Sequence, residues 1–212
     1  EIREKRGDKF GEIEITLVCD RSSSMTEGDG QKAVEQRKSA VLIMEVLQDF
    51  AEICDDEKTQ MDKPLAVRSE IYSFASSAED KTPLKKMSKE LGEAERINVL
   101  KKLQNLPGST TDFSCLEAIH EGLDDETRQK IAIGELKKIV FVLTDGGSDN
   151  VARVRTALKI LRDAGIIVVG VGLTEAGAPA RTTYAPNAQV VESVARLPIV
   201  LGELLKEHLK DL

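Results

Sequence analysis

Tryptophan is missing from this chain, and only two tyrosines and five phenylalanines stand among its 212 residues. Recognition of unpaired RNA bases leans on aromatic rings, so their scarcity argues against that task. Positive charge is also in short supply, with 30 Lys and Arg against 37 Asp and Glu and a net charge of −7. Phosphate contacts need clustered cations, which excludes nucleic-acid binding as the main job. No apolar run approaches the ~20 residues of a membrane span. The opening Glu1-Ile2-Arg3-Glu4-Lys5 does not read as a signal peptide, and a start at Glu in place of Met marks an excised or processed piece.

Cysteines number three, Cys19, Cys54 and Cys115. They are an odd set, far apart, each inside an apolar periodic segment, and read as buried free thiols of a reducing compartment. The two histidines, His120 and His208, fall on predicted helices without Cys or His at ligand spacing and read as structural. Lys85, Lys86 and Lys89 read as a solvated sheet edge.

What is present is a regular alternation of strand and helix. After a charged lead-in over residues 1–11, a strand is predicted from Glu12 to Cys19, then a polar loop and a helix from about Gln31 to Asp55 with an apolar stripe through Val34, Val41, Met44, Leu47, Ala51 and Cys54. Leu65 to Phe74 reads as a second strand and Thr82 to Met87 as its antiparallel edge partner. A helix from about Glu90 to Leu106 stops at Pro107-Gly108. Another helix follows Ser109-Thr110-Thr111-Asp112, with one of the two threonines expected to cap it. Asp124 to Glu135 reads as a polar, partly helical connection. Ile139 to Leu143 is a short apolar run suited to a central parallel strand, Val151 to Leu161 a helix, and Ile166 to Val171 a further buried strand. A loop over Thr174 to Asn187, a strand at Gln189 to Glu192 and a helix from Pro198 complete the chain. The pattern predicts a single α/β domain over residues 12–212. Its fold is a doubly wound, mostly parallel six-stranded sheet with one antiparallel edge strand and helices on both faces.

Three loops then share one end of that sheet: Asp20, Ser22 and Ser24 after the first strand, Thr110 and Thr111 at a helix start, and Asp145 after the central strand. In open α/β sheets ligands sit at the carboxyl ends of strands. Two carboxylates and several hydroxyls, with no His or Cys among them, suit a hard cation such as Mg²⁺, which takes about six oxygens and keeps some waters. Such a set leaves the ion incompletely neutralised, so an acidic group from a partner would be drawn to an open position.

Asp20-Arg21-Ser22-Ser23-Ser24 resembles the D-x-S-x-S motif that begins the metal-ion-dependent adhesion site of von Willebrand factor A domains. Gly108-Ser109-Thr110 resembles that family's Gly-x-Thr loop, Thr144-Asp145-Gly146 its Thr-Asp-Gly strand end, and Val168 to Gly172 its next strand. The resemblance implies that Ser22, Ser24 and Thr110 contact the metal and that Asp20 and Asp145 act largely through waters or from behind the ligands. Thr111, followed by Asp112-Phe113, is the alternative to Thr110. Ser23 and Ser109 stand where the family commonly has Gly, which stiffens both loops without removing a ligand.

The resemblance further implies a Mg²⁺-dependent protein-binding module, with Mn²⁺ as another occupant and a partner carboxylate completing the site. The resemblance to intracellular members of the family implies an AAA+ ATPase as partner, and the cysteine usage favours that cytoplasmic setting; a cell-surface adhesion domain is the alternative. Thr26 to Gly30, Gly147 to Asn150 and Thr174 to Asn187 are the loops expected to set specificity. An aspartyl-phosphate phosphotransferase would need a second acid two residues after Asp20, where Ser22 stands. Gly28-Asp29-Gly30-Gln31-Lys32-Ala33 matches a dinucleotide fingerprint on paper, but it lies too far from the strand and Asp29 would repel a pyrophosphate. Walker, nucleophile-elbow and paired-His motifs are absent, so no enzyme is expected.

Overall fold

Side chains along Glu12–Asp20 (β1) point alternately into two apolar layers, as a strand with helices on both faces requires. Ile13, Ile15, Leu17 and Cys19 enter one layer, and Val18 enters the other. The structure is a computed structural model that describes residues 11–27, 29–56, 65–75, 78–106 and 108–208, with the side chains at 50 and 53–56 outside the description.

The remaining strands are β2 (Ala66–Phe74), β3 (Lys85–Ser88), β4 (Leu136–Thr144), β5 (Ile167–Leu173) and β6 (Ala188–Val191). They form one six-stranded sheet in the order β3-β2-β1-β4-β5-β6, in which only β3 runs antiparallel. Helices α1 (Gln31–Asp56), α2 (Glu93–Lys102) and α7 (Leu197–His208) cover the face that takes Ile13, Phe141 and Val171. Helices α3 (Asp112–Glu121), α4 (Asp125–Ile133), α5 (Val151–Asp163) and α6 (Ala180–Thr183) cover the face that takes Val18, Val140 and Val168. The predicted fold class is therefore the observed one.

The strand order decides where a site forms. From β1 the chain moves outward to β2, while from β4 it moves outward the other way to β5. Their parallel register, Glu12 opposite Leu136 through Cys19 opposite Leu143, sets the two carboxyl ends side by side. Between them lies the topological switch point of the sheet, where the loops diverge and leave a crevice.

Several boundaries differ from expectation, each for a local reason. The predicted strand 139–143 begins three residues earlier, because the Lys138 ammonium is neutralised by Glu14 at 2.9 Å and Glu70 at 3.2 Å, and Thr16 donates to Glu70 at 2.7 Å. A buried charge is tolerated when it is paired and hydrogen-bonded in this way. The helix expected over 90–106 spans only Glu93–Lys102, starting where Glu95 accepts from the Gly92 amide. The connection after Asp124 is a full helix, capped by Asp124 at Thr127 and ended by Gly134 in the left-handed region. The buried stripe of α1 runs through Ala33, Gln36, Ala40, Ile43, Met44, Leu47 and Ala51, whereas Val34 and Val41 lie at its margin.

Lys85 corrects a further expectation. It is 1% exposed, not part of a solvated edge, and its ammonium donates to the carbonyls of Ser69 (2.6 Å) and Ser88 (3.0 Å). Those acceptors come from the irregular β2–β3 pairing, so a cation fills the gap left by the register shift. Lys86 and Lys89 are exposed as expected. Cys19 and Cys115 are buried free thiols. The Cys54 side chain, Gly28, Leu209 and the lead-in before Gly11 lie outside the described residues. No helix among the described residues is long and apolar enough to cross a membrane.

Candidate metal centre

The site grows from the last residue of β1. Asp20 is fully buried; its backbone is clamped by the Gln36 side chain, which accepts from the Asp20 amide (3.0 Å) and donates to its carbonyl (2.8 Å). One carboxylate oxygen accepts the Ser22 amide at 2.7 Å. The other accepts the Thr144 hydroxyl at 3.0 Å and the Asp145 amide at 3.3 Å, so Asp20 ties the ends of β1 and β4 together. Burial raises its pKa to about 6; the Ser22 and Thr144 hydrogen bonds oppose the shift and the Asp145 charge adds to it.

After Asp20 the chain turns through a 3₁₀ segment, Ser23–Thr26, anchored by the fully buried Met25. That turn brings the Ser22 and Ser24 hydroxyls within 2.8 Å of each other, and Ser24 donates to Asp145 at 2.6 Å. The second Asp145 oxygen meets the Lys32 ammonium at 2.5 Å. Asp20, Ser22, Ser24 and Asp145 thus form one hydrogen-bonded constellation across 125 positions of sequence.

The threonine loop docks against the first loop. Gly108 forms a parallel bridge with Ser22, and its carbonyl accepts the Ser23 amide at 2.9 Å. A side chain at 108 would stand 1.8 Å from the Ala75 carbonyl oxygen, so only glycine lets this loop reach the end of β2. Thr110 is nearly buried and its carbonyl accepts the Asp149 amide at 2.9 Å, joining it to the loop after Asp145. Thr111 is at the N-cap position of α3 but makes no side-chain cap; its hydroxyl donates to Asp80 at 2.8 Å, and Asp80 also accepts the Ala75 amide. The expected threonine cap is therefore not found. Asn150 does cap α5, accepting from the Arg153 amide at 3.0 Å.

Behind Thr110 lies a group that motif reading passed over. Asp112 is buried, accepts the Ser148 hydroxyl at 2.5 Å and accepts a short hydrogen bond from the Tyr184 hydroxyl. Burial raises its pKa against the pull of those two donors. Gly170 makes room for Tyr184, because a methyl group there would come within 2.5 Å of the ring-bearing carbon. Asp112 thereby pins together the start of α3, the loop after β4 and the end of α6. Neither it nor Lys32 and Gln36 carries a motif; their partners lie 72, 113 and 16 positions away, and only an acid in the first turn of α3 hinted at Asp112.

The donor set fits a hard divalent cation: two buried carboxylates and serine hydroxyls converge, with no nitrogen or sulfur ligand beside them. Among the described residues no group of three or more His, Cys, Asp or Glu stands at metal-binding distance. A cation would also offset the cost of holding Asp20 ionised under burial.

Comparison with known proteins bears on this geometry. The chain is 28% identical over 198 residues to an uncharacterized protein of Treponema pallidum (strain Nichols), covering 92% of this chain and 32% of that protein. It therefore spans about a third of the length of this curated relative. Among solved structures it is similar to proximal thread matrix protein 1 of the mussel byssus with a zinc-occupied MIDAS motif, with a TM-score of 0.66 and 17% identity, covering 94% of this chain and 46% of that one. It is also similar to the manganese-loaded TRAP protein of Plasmodium vivax, with a TM-score of 0.58 and 12% identity over 90% of this chain and 72% of that one. The sequence profile of the von Willebrand factor type A domain matches residues 14–194, from within β1 to just past β6. This chain belongs to the von Willebrand factor type A domain family, a family of metal-dependent protein-interaction modules.

Proposed function

We propose that this domain binds a protein partner through Mg²⁺, or Mn²⁺ in its place, and that an Asp or Glu carboxylate of the partner completes the ion's coordination. Ser22, Ser24 and Thr110 would hold the ion directly, with Asp20 and Asp145 supporting it from behind. The observation that carries this reading is the unbroken chain Ser22–Ser24–Asp145–Asp20 at the switch point of the sheet. Thr110 is favoured over Thr111 because the Thr111 hydroxyl is taken by Asp80. The ion, when bound, would supply an electrophilic position for a carboxylate while the chain's own residues orient its ligands, and in this reading the domain acts as a binding module. Metal in the named MIDAS of the mussel protein and manganese in the Plasmodium protein support divalent-ion chemistry at the same fold.

The setting we propose is cytoplasmic, with an AAA+ ATPase as the assembly partner. The buried, unpaired Cys19 and Cys115 support a reducing compartment. The test is a pull-down from source lysate with wild type and the Asp20→Ala/Ser22→Ala double variant, each in Mg²⁺ and in EDTA. Capture of a common partner by wild type in Mg²⁺ alone is expected. Equal capture in all four conditions would sink the reading.

A further inference from the structure

Lys32 sits where helix physics disfavours it. It is the second residue of α1, whose first turn holds no acid, and a cation near a helix N-terminus opposes the helix dipole. Its side chain nevertheless turns inward, 12% exposed, and reaches an Asp145 carboxylate that is 0% exposed. The two Asp145 oxygens are thereby divided: Oδ1 accepts the Ser24 hydroxyl and Oδ2 meets the Lys32 ammonium. The other cation of the loop, Arg21, is turned away onto the Asn105 carbonyl and the Ser73 hydroxyl. Lys32 is thus the side chain that neutralises Asp145.

We infer that Lys32 is a tethered counter-ion that competes with the divalent cation for Asp145 and so lowers the metal affinity of the domain. The inference rests on the metal-binding reading above and adds to it a residue that works against the ion. Two like charges drawn to one buried carboxylate oppose each other strongly in a poorly solvated crevice. Occupancy by the ion must then weaken the Lys32–Asp145 pair, and the pair must weaken the ion to the same degree. In the absence of metal the same contact stabilises the domain, since it leaves no buried Asp145 charge unpaired.

The test uses the full 212-residue chain as wild type, Lys32→Gln, Lys32→Met and the charge-preserving Lys32→Arg. Mn²⁺ is titrated and followed by its electron paramagnetic resonance signal, and unfolding midpoints are read in EDTA. Lys32→Gln and Lys32→Met should bind Mn²⁺ on the order of tenfold more tightly than wild type, while unfolding earlier in EDTA. Lys32→Arg should stay near wild type in both. A merely structural lysine would lower the EDTA midpoint without tightening the metal. Equal or weaker Mn²⁺ binding by both neutral variants, with wild type still binding, overturns the inference and leaves the metal site standing. Binding by the neutral variants alone would support it in its strongest form. Absence of Mn²⁺ binding in all four proteins overturns the metal site itself.

Discussion

Replacing Gly108 by alanine tests whether the threonine loop is held where the structure puts it. The added methyl carbon would lie 1.8 Å from the Ala75 carbonyl oxygen, 2.4 Å from its carbonyl carbon and 2.8 Å from its α-carbon, all backbone atoms. Ala75 cannot easily yield, because its amide is held by Asp80 at 3.0 Å and the preceding Phe74 carbonyl accepts the Arg21 amide at 3.0 Å. The 108–111 loop must move instead, at the expense of the Ser23 amide bond to the Gly108 carbonyl. Overpacking of this kind costs about 1–3 kcal/mol, and the lost hydrogen bond adds about 1 kcal/mol. For a domain of this size each kcal/mol moves the unfolding midpoint by about 2–4 °C, so Gly108→Ala should unfold about 5–15 °C early by the same conversion. Gly146→Ala is the matched control within the site, since a methyl group there meets nothing within 4 Å; its change should stay within about 0.5 kcal/mol. Differential scanning calorimetry in EDTA reads both, and a Mn²⁺ titration should show weaker binding for Gly108→Ala. If the two variants unfold together at the wild-type midpoint, the close approach of this loop to β2 is wrong.

Other expected outcomes follow from single contacts. Tyr184→Phe removes the hydroxyl that donates to the buried Asp112 and should cost about 1.5–3 kcal/mol in urea unfolding; a neutral result would mean that Asp112 does not depend on this donor. Burial raises the Cys19 thiol to about 12 and the Cys115 thiol well above its usual value, so in a Cys54→Ser background neither should react with a disulfide reagent near pH 8 until the chain unfolds. Rapid native labelling would contradict the burial. Burial also holds the Lys85 ammonium below the usual lysine range. The unfolded chain then binds more protons in the interval between the folded and unfolded values, so the stability contributed by Lys85 rises with pH across it. The difference in unfolding free energy between wild type and Lys85→Met should therefore grow in favour of wild type as pH rises toward the usual lysine range, and a flat difference would show that Lys85 is solvated.

Local pattern was enough for much of the fold. β1 alternates and then becomes apolar, β4 and β5 are short apolar runs, and α5 keeps helical spacing through Val154, Leu158 and Leu161. These signals depend on neighbours a few residues apart. Asp20, Ser22 and Ser24 were legible for the same reason, because their spacing and position at a strand end are local facts. Lys138 and Lys85 misled the reading because their compensation is remote: Glu14 and Glu70 for one, the Ser69 carbonyl for the other. A charged residue looks solvated until its partner is known.

By itself, then, the sequence determined the alternation of strand and helix, the doubly wound class and the oxygen-rich inventory of the site, since these follow from periodicity and side-chain chemistry. Tertiary structure decided that β4 lies beside β1, which places Asp145 and Ser24 2.6 Å apart although they are separated by 121 positions in the chain. It also committed Thr111 to Asp80, set Asp112 behind Thr110 and turned Lys32 onto Asp145. Each of those outcomes is a pairing between distant charges or hydroxyls, and strand order together with packing selects such pairings, while no local spacing encodes them.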